Sequence, residues 1–397
     1  MTYEILQLLL IGLGLALTPV LFRRFPKLPA AKQPRELQAR ELEKGLSQTG
    51  EAATQQLQLH PYPSGSRISV IIPARNEAMN LPLLLQDLKE QSTNPLEIIC
   101  VDDASTDATA QIAAGYGIKI ITLHDKPAGW TGKTWACQQG AEHAAGELLL
   151  FLDADVRMAP DGIARILQAY EKEAVTLSVQ PYHETFRPYE QFSLIFNLIQ
   201  GAANGTTTGQ DKALGLHGPV ILMPRTVYEL IGGHESVRRH VIEDLALGQR
   251  LREAGQPFRV YVGDESIRYR MYADGPVSLF QGWVKNMAAG AALMPFVLFL
   301  RVFFWVTVMA AVPIHLVRHA VQGNLALTLA YIGLYISWIV IIWALAAKLG
   351  RFRRGAIVFY PIVLAATTLI FLVSAVKKLF RISVTWKGRS IPGRVEP

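Results

Sequence analysis

Two acidic clusters in this chain could do chemistry: Asp102-Asp103 and Asp153-Ala154-Asp155, each closing a short apolar run. Two carboxylates held close together raise each other's pKa unless a cation or hydrogen-bond donors compensate. The usual compensation is Mg²⁺ or Mn²⁺, held by one or two carboxylates and by phosphate oxygens. A third polar stretch, Pro73-Ala74-Arg75-Asn76-Glu77, ends an earlier apolar run, and Asp102-Asp103 continues into Ala104-Ser105-Thr106-Asp107. Any of these acids could instead cap a helix, because Asp and Ser commonly sit at the N-cap. For Asp107 the two roles stand level. Capping does not explain acids at the ends of two separate strands. Neither G-x-G-x-x-G after the first strand nor G-x-x-x-x-G-K-[ST] occurs, which argues against dinucleotide and P-loop enzymes.

Short β-rich runs at 68–72, 97–101, 117–122 and 147–152 alternate with helical patterns at 79–91, 107–116 and 134–145. Continuous apolar strands alternating with amphipathic helices predict an α/β domain with a mainly parallel sheet covered on both faces. Such sheets bind ligands at the carboxyl ends of their strands, which is where the acids fall.

Pro73 to Glu77, Val101 to Asp107, Gly132-Lys133 and Asp153-Ala154-Asp155 occur in the order and spacing of the family 2 glycosyltransferases, which the chain resembles. The resemblance implies a Rossmann-like domain of the GT-A type and a reaction that inverts the anomeric centre. By it, Asp102 contacts the uracil of a UDP-sugar, and Pro73, Ala74, Asp103 and Glu77 belong to the nucleotide-sugar pocket. Lys133 lies near the base or phosphates, Asp153 near the ribose and at the metal, and Asp155 on the metal. His240-Val241-Ile242-Glu243-Asp244 matches the E-D motif that supplies this family's base, so Asp244, beside Glu243, is the candidate. The same two acids also open a predicted helix, where they favour the macrodipole.

Leu177 to His183, Gly232-Gly233-His234, Arg270-Met271-Tyr272, Gln281 to Lys285 and Trp386-Lys387-Gly388-Arg389 resemble one group within that family, the membrane glycosyltransferases acting on carotenoid acids. That narrower resemblance implies glucose transfer from UDP-glucose to the carboxylate of a C30 carotenoid acid. A hydroxyl lipid acceptor is the enzymatic alternative, and a silent nucleotide-binding membrane scaffold the non-enzymatic one. Processive synthases of the family carry Q-x-x-R-W, whereas here Gly282 precedes Trp283, so a single transfer is expected. Trp283 is then read as an interfacial anchor, since Trp favours that depth. His217, Trp283, Trp386 and Arg389 are candidate acceptor-side residues. His183, His217, His234 and His240 match no metal template and are expected to be structural or to wall the acceptor pocket.

The whole chain must hold this domain against a membrane. Of 397 residues half are hydrophobic and only 18% are charged, where a soluble enzyme carries about a quarter. The apolar excess lies at the ends. Segment 5–22 followed by Arg23-Arg24 predicts an anchor (1–24) with its N-terminus outside, and 25–66 a polar, partly helical tether. The catalytic domain is expected at 67–286, a C-terminal membrane region at 287–376, and a basic tail at 377–397. Within the membrane region 293–317, 325–347 and 356–376 are long enough to span or enter a bilayer. The basic loop 348–354 and the tail both favour the cytoplasm, so one segment must lie in the interface or re-enter, and Arg301 points to the first. The expected location is the plasma membrane, multi-pass, with the catalytic domain cytoplasmic. The net charge of +7 gathers beside apolar runs, a pattern of membrane topology rather than nucleic-acid binding. Cys100 and Cys137 lack metal-ligand spacing and are expected as reduced, buried thiols.

Overall fold

Buried on both faces, the strand β1 (Ile68–Ala74) lies inside a seven-stranded sheet in a computed structural model that describes residues 2–30, 67–209, 213–386 and 389–391. Most of the expected tether, and all of the tail beyond its short ribbon, lie outside these residues. After β1 come α2 (Leu81–Lys89), β2 (Glu97–Asp103), α3 (Thr109–Gly115), β3 (Lys119–Leu123), α4 (Gly132–Glu142) and β4 (Leu148–Leu152), following α1 (Thr2–Leu21). Each predicted strand and helix is present, with ends shifted by a few residues at most. β1 pairs in parallel with β2 and β4, and β2 with β3. β4, Leu-Leu-Leu-Phe-Leu, is buried at every position, as a parallel strand covered by helices should be.

The second half adds β5 (Val156–Met158), α5 (Gly162–Glu173), β6 (Thr176–Gln180), β7 (Tyr182–Glu184), α6 (Ser193–Ala203), β8 (Val220–Pro224), α7 (Arg225–Leu230), α8 (Glu243–Glu253), β9 (Phe258–Val262) and β10 (Ile267–Tyr269). The main sheet runs β3-β2-β1-β4-β8-β6-β9, with β8 antiparallel to both neighbours. A reversed strand beside β4 separates the nucleotide-type half from the rest. The sheet opens there.

Among the described residues five further helices follow: α9 (Pro276–Ala291), α10 (Phe296–Val321), α11 (Leu325–Leu349) and, after β11 (Gly350–Arg351), the short α12 (Arg354–Val358) and α13 (Tyr360–Leu379). Helices over 3–21, 296–321, 325–349 and 360–379 are long and apolar enough to cross a membrane. α1 and α10 are antiparallel, because Thr18 Oγ1 accepts from Trp305 Nε1 at 3.0 Å while Glu4 meets His319 at 3.0 Å. Leu21 and Arg24 bond Thr207 of the catalytic domain. α11 then returns towards that domain, where β11 joins a small sheet through β7. Residues 25–30 stay on the domain too: Pro26 accepts from Val262 N, and Leu28 is buried in its core.

The third segment behaves differently. β11 and Arg353 lie against the catalytic domain, yet Val358 accepts from Tyr335 Oη and Tyr360 Oη donates to Met309. Both partners sit midway along their helices, roughly 20 Å from the domain at 1.5 Å per residue. α13 then climbs back, with Ser374 bonding Val284 and Lys378 donating to Ala288 on α9. α12 and α13 thus form a hairpin whose two ends share one side. The segment that turns back is the third, not the one bearing Arg301. Arg301 is exposed, near the catalytic-domain end of α10, where a long side chain can reach the interface.

After α13, β12 (Val384–Trp386) and β13 (Arg389–Ile391) make a two-stranded ribbon with Trp386 opposite Arg389.

Candidate active site

The polar ends of β1 and β2 are tied to each other. Arg75 Nη1 donates to the Asp103 and Ala104 carbonyls, Asn76 N to Ser105 Oγ at 3.0 Å, and Glu77 N to Thr109 Oγ1 at 2.8 Å. Asn76 and Ala104 both take positive φ, 52° and 50°, conformations that persist only where surrounding bonds dictate them. Asp107 accepts from Ala78 N at 3.1 Å and from Thr109 N at 3.0 Å. Its role is to lock the two loops and start α3, which settles the level choice left by the sequence.

Lys133, in the first turn of α4, projects between two acids. Its Nζ lies 2.7 and 2.9 Å from the two Asp153 oxygens and 3.0 Å from Glu243 Oε1. Burial works against the ammonium, yet Asp153 and Glu243 hold its pKa well above the ordinary lysine value. Glu243 and Asp244 open α8, whose approach is set by two glycines. A Cβ on Gly248 would lie 2.5 Å from Gly215 Cα, and one on Gly215 2.6 Å from Leu245 Cα. That contact brings Asp244 Oδ2 to 2.8 Å from Gly218 N. Burial, and then the Glu243 charge, push the Asp244 carboxyl up to about 6. Burial also disfavours charge on Glu243, but Lys133 and Lys285 draw its pKa below the usual value.

These groups open into one cavity of about 1160 Å³. Pro73, Ala74, Glu77, Asp103, Lys133, Asp153, Asp155, Glu243, Asp244 and His217 all line it. So do Phe299, Val302 and Phe303 of α10 and Leu364, Thr367 and Phe371 of α13. A polar chamber at the strand ends therefore continues into an apolar slot between membrane-type helices.

Asp102 is not on that wall. It is buried, and its Oδ1 accepts from Ser105 N at 3.3 Å, so it shapes the loop while Asp103 faces the cavity. Trp283 also departs from expectation. It is 1% exposed, packed between Phe196 and Tyr272 rather than set at an interface. Gly282 is explained by the same ring, since a Cβ there would stand 2.2 Å from Tyr272 Cε1. Of Trp386 and Arg389 only the strand placement is described.

Three of the four histidines singled out in the sequence are buried, and His217 also lines the cavity. His183 and His217 are buried with Asn197 and Asn204 beside them, and burial lowers both to about 4. His234 is buried against Tyr228 Oη at 3.0 Å and lowered to about 3 by burial. Cys100 and Cys137 are buried and free.

Lys285, one turn beyond Gln281 on α9, entered the sequence reading only as the end of the stretch Gln281 to Lys285 and was given no role. It lines the cavity, and burial lowers its pKa while the Glu243 charge acts in the opposite direction. Arg270, likewise named only within Arg270-Met271-Tyr272, grips buried Glu190 at 2.7 and 3.1 Å and reaches the cavity. A lysine within an apolar helix of the catalytic half was the available signal.

The donor set suits a hard divalent cation. Asp153 and Asp155 both line the cavity, and Lys133 pairs with both Asp153 oxygens. Oxygen donors of this kind favour Mg²⁺ or Mn²⁺ over softer metals.

Residues 69–232 match the family described as Glycosyl transferase family 2. The chain is 35% identical over 338 residues to a 4,4′-diaponeurosporenoate glycosyltransferase of Staphylococcus aureus (strain USA300), covering 81% of this chain and 87% of that protein. Among solved structures, a mannosyltransferase from Pyrobaculum calidifontis, PcManGT in complex with GDP-mannose and Mn²⁺, covers 94% of this chain and 99% of its own. Its sequence identity is 18% and its TM-score 0.48. The chain belongs to family 2 of the glycosyltransferases: an α/β enzyme of the GT-A type, with a mainly parallel sheet and apolar helices at both ends.

Proposed function

We propose that this enzyme moves a sugar, glucose by the nearest reading, from a UDP-sugar to the carboxylate of a long apolar lipid, a C30 carotenoid acid of the 4,4′-diaponeurosporenoate kind. The observation that carries the reading is the continuity of the cavity from the acids at the strand ends to the slot between α10 and α13. The relative in S. aureus, whose name specifies such an acceptor, supports it. The slot suits an extended apolar body, and the chamber above it suits a charged head.

In this reading the nucleoside sits against Pro73, Ala74, Asp103 and Glu77, and the diphosphate near Asp155. A divalent ion bound there neutralises charge developing on the departing diphosphate. Lys133 presents positive charge beside the same site while holding Asp153 in place. Lys285 offers a second cation, placed to pair the acceptor carboxylate. A carboxylic acid with a solution pKa of about 4.3 is already ionised near neutrality and needs no base. It attacks the anomeric carbon from the face opposite the diphosphate, through an oxocarbenium-like state.

A hydroxyl lipid is the second reading, favoured by the Asp244 carboxyl at about 6, a value suited to a general base. Lipid and pigment extracts from cells with and without the gene, resolved by mass spectrometry, decide between them. A glycosyl ester of a carotenoid acid that depends on the gene is expected. An O-glycoside of a hydroxyl lipid alone would select the second reading. UDP release from UDP-glucose by the solubilised enzyme should fall at least 100-fold in Asp155→Ala; no metal-dependent release from wild type would favour a silent scaffold.

We further propose a plasma-membrane protein with three full spans (α1, α10 and α11), a re-entrant α12–α13 hairpin and a cytoplasmic catalytic domain. The hairpin supports this, because it sets the basic loop 348–354 and the basic end of α13 on one side, as positive-inside placement requires.

A further inference from the structure

At the end of the helix bundle far from the catalytic domain, three side chains converge that sugar transfer does not use. His315 and His319 stand one turn apart on α10, and Glu4 comes from antiparallel α1. One ligand atom from each lies within 4.8 Å of the other two. His319 Nε2 is 3.0 Å from Glu4 Oε2, and Arg318 Nη2 is 3.4 Å from the other oxygen, Oε1. Arg318 thus neutralises one side of the carboxylate and leaves Oε2 directed at the histidines.

The imidazoles are held for a purpose that hydrogen bonding alone does not fill. Both are buried, His315 at 9% and His319 at 2% exposure. Their rings lie 6.2 Å apart at 21°, and the buried ring of Tyr331 stacks on both, at 5.4 and 5.3 Å. Among the described residues, Nδ1 of each histidine is buried without a hydrogen-bond partner. Buried polar atoms are rarely left so, and each one calls for an explanation such as an ion or a water.

We propose that Glu4, His315 and His319 bind a divalent transition-metal ion of the Zn²⁺ type. Histidines at i and i+4 present both rings from one helix face, the spacing helical zinc sites use. Two imidazoles and a carboxylate are a zinc donor set, with a fourth position for water. Donors about 2.1 Å from such an ion stand roughly 3.4 Å apart, so small side-chain movements complete the site. The ion ties α1 to α10 at the end of the bundle far from the catalytic domain. It is separate from the cation expected at Asp155 in chemistry as well as place, imidazole against oxygen.

Detergent-purified full-length protein, stripped with chelator, is titrated with Co²⁺ and followed by visible absorption, then challenged with Zn²⁺. The expected result is one intense tetrahedral Co²⁺ spectrum per chain, displaced by Zn²⁺. It should persist in Asp155→Ala and weaken at least tenfold in His315→Ala and His319→Gln. Glu4→Gln, nearly isosteric, guards against misfolding: weaker Co²⁺ binding with UDP-glucose turnover intact supports the site. A wild type that gives no such spectrum, or binding unchanged in Glu4→Gln and His315→Ala, overturns it.

Discussion

In the proposed function, Asp244 and Lys285 are the residues that distinguish a carboxylate from an alcohol acceptor. Asp244 is anchored by Gly218 N and Leu245 N at 2.8 and 2.9 Å, and burial and the Glu243 charge push its carboxyl up to about 6. Asp244→Asn should cost two or more orders of magnitude with an alcohol acceptor and only a few-fold with a purified carotenoid acid, measured as kcat/KM with both acceptors. An equal, severe loss with both would end the argument that a carboxylate needs no base. With the alcohol, wild-type kcat/KM should fall roughly tenfold per pH unit below about 6, as the base gains its proton; the carboxylate acceptor should show no such limb. Lys285→Gln removes a charge-assisted contact worth about 1.5–3 kcal/mol. It should therefore lower kcat/KM by at least tenfold for the carboxylate and leave the alcohol little changed. The motif acids were legible because each follows an apolar run. The choice of Asp103 over Asp102 as the wall residue was not, since adjacent positions on a strand face opposite sides and only the loop beyond fixes which one turns inward.

The elements were legible where period and chemistry agreed. β1 to β4 and their helices follow from continuous apolar runs between amphipathic ones, and each carboxyl end carries the polar residues that the site uses. Trp283 was misread because Trp suits both an interface and a core, and sequence alone does not reveal the Phe196 and Tyr272 rings on either side of it. Gly282 was noticed as a missing arginine; the structure gives it a positive role, clearance for Tyr272. Gly282→Ala should destabilise the α9 packing by about 1–3 kcal/mol, as overpacking does, with a lower thermal midpoint in detergent as the readout. Direction was the other illegible quantity. Hydropathy reports that a segment can cross a membrane, and Arg301 drew attention to the wrong one. The bond from Tyr335 to Val358, which reveals the turning point midway down the bundle, joins residues 23 apart.

For the molecule as a whole, the proposed topology predicts labelling patterns. Single cysteines at 353 and 381 should react with a membrane-impermeant maleimide only from the cytoplasmic face, and one at 323 only from outside. Labelling of 353 and 381 from opposite faces would refute the hairpin. That hairpin also sets where the product goes. Its α13 forms one wall of the acceptor slot and never reaches the far surface. Under the proposed topology and function, a lipid acceptor would present its head group from the inner leaflet, and the sugar-bearing product would be laid down in that same leaflet. Any glycolipid found on the outer surface of the cell must have been carried across by a separate translocation step, and its rate would then be set by that step and not by this enzyme.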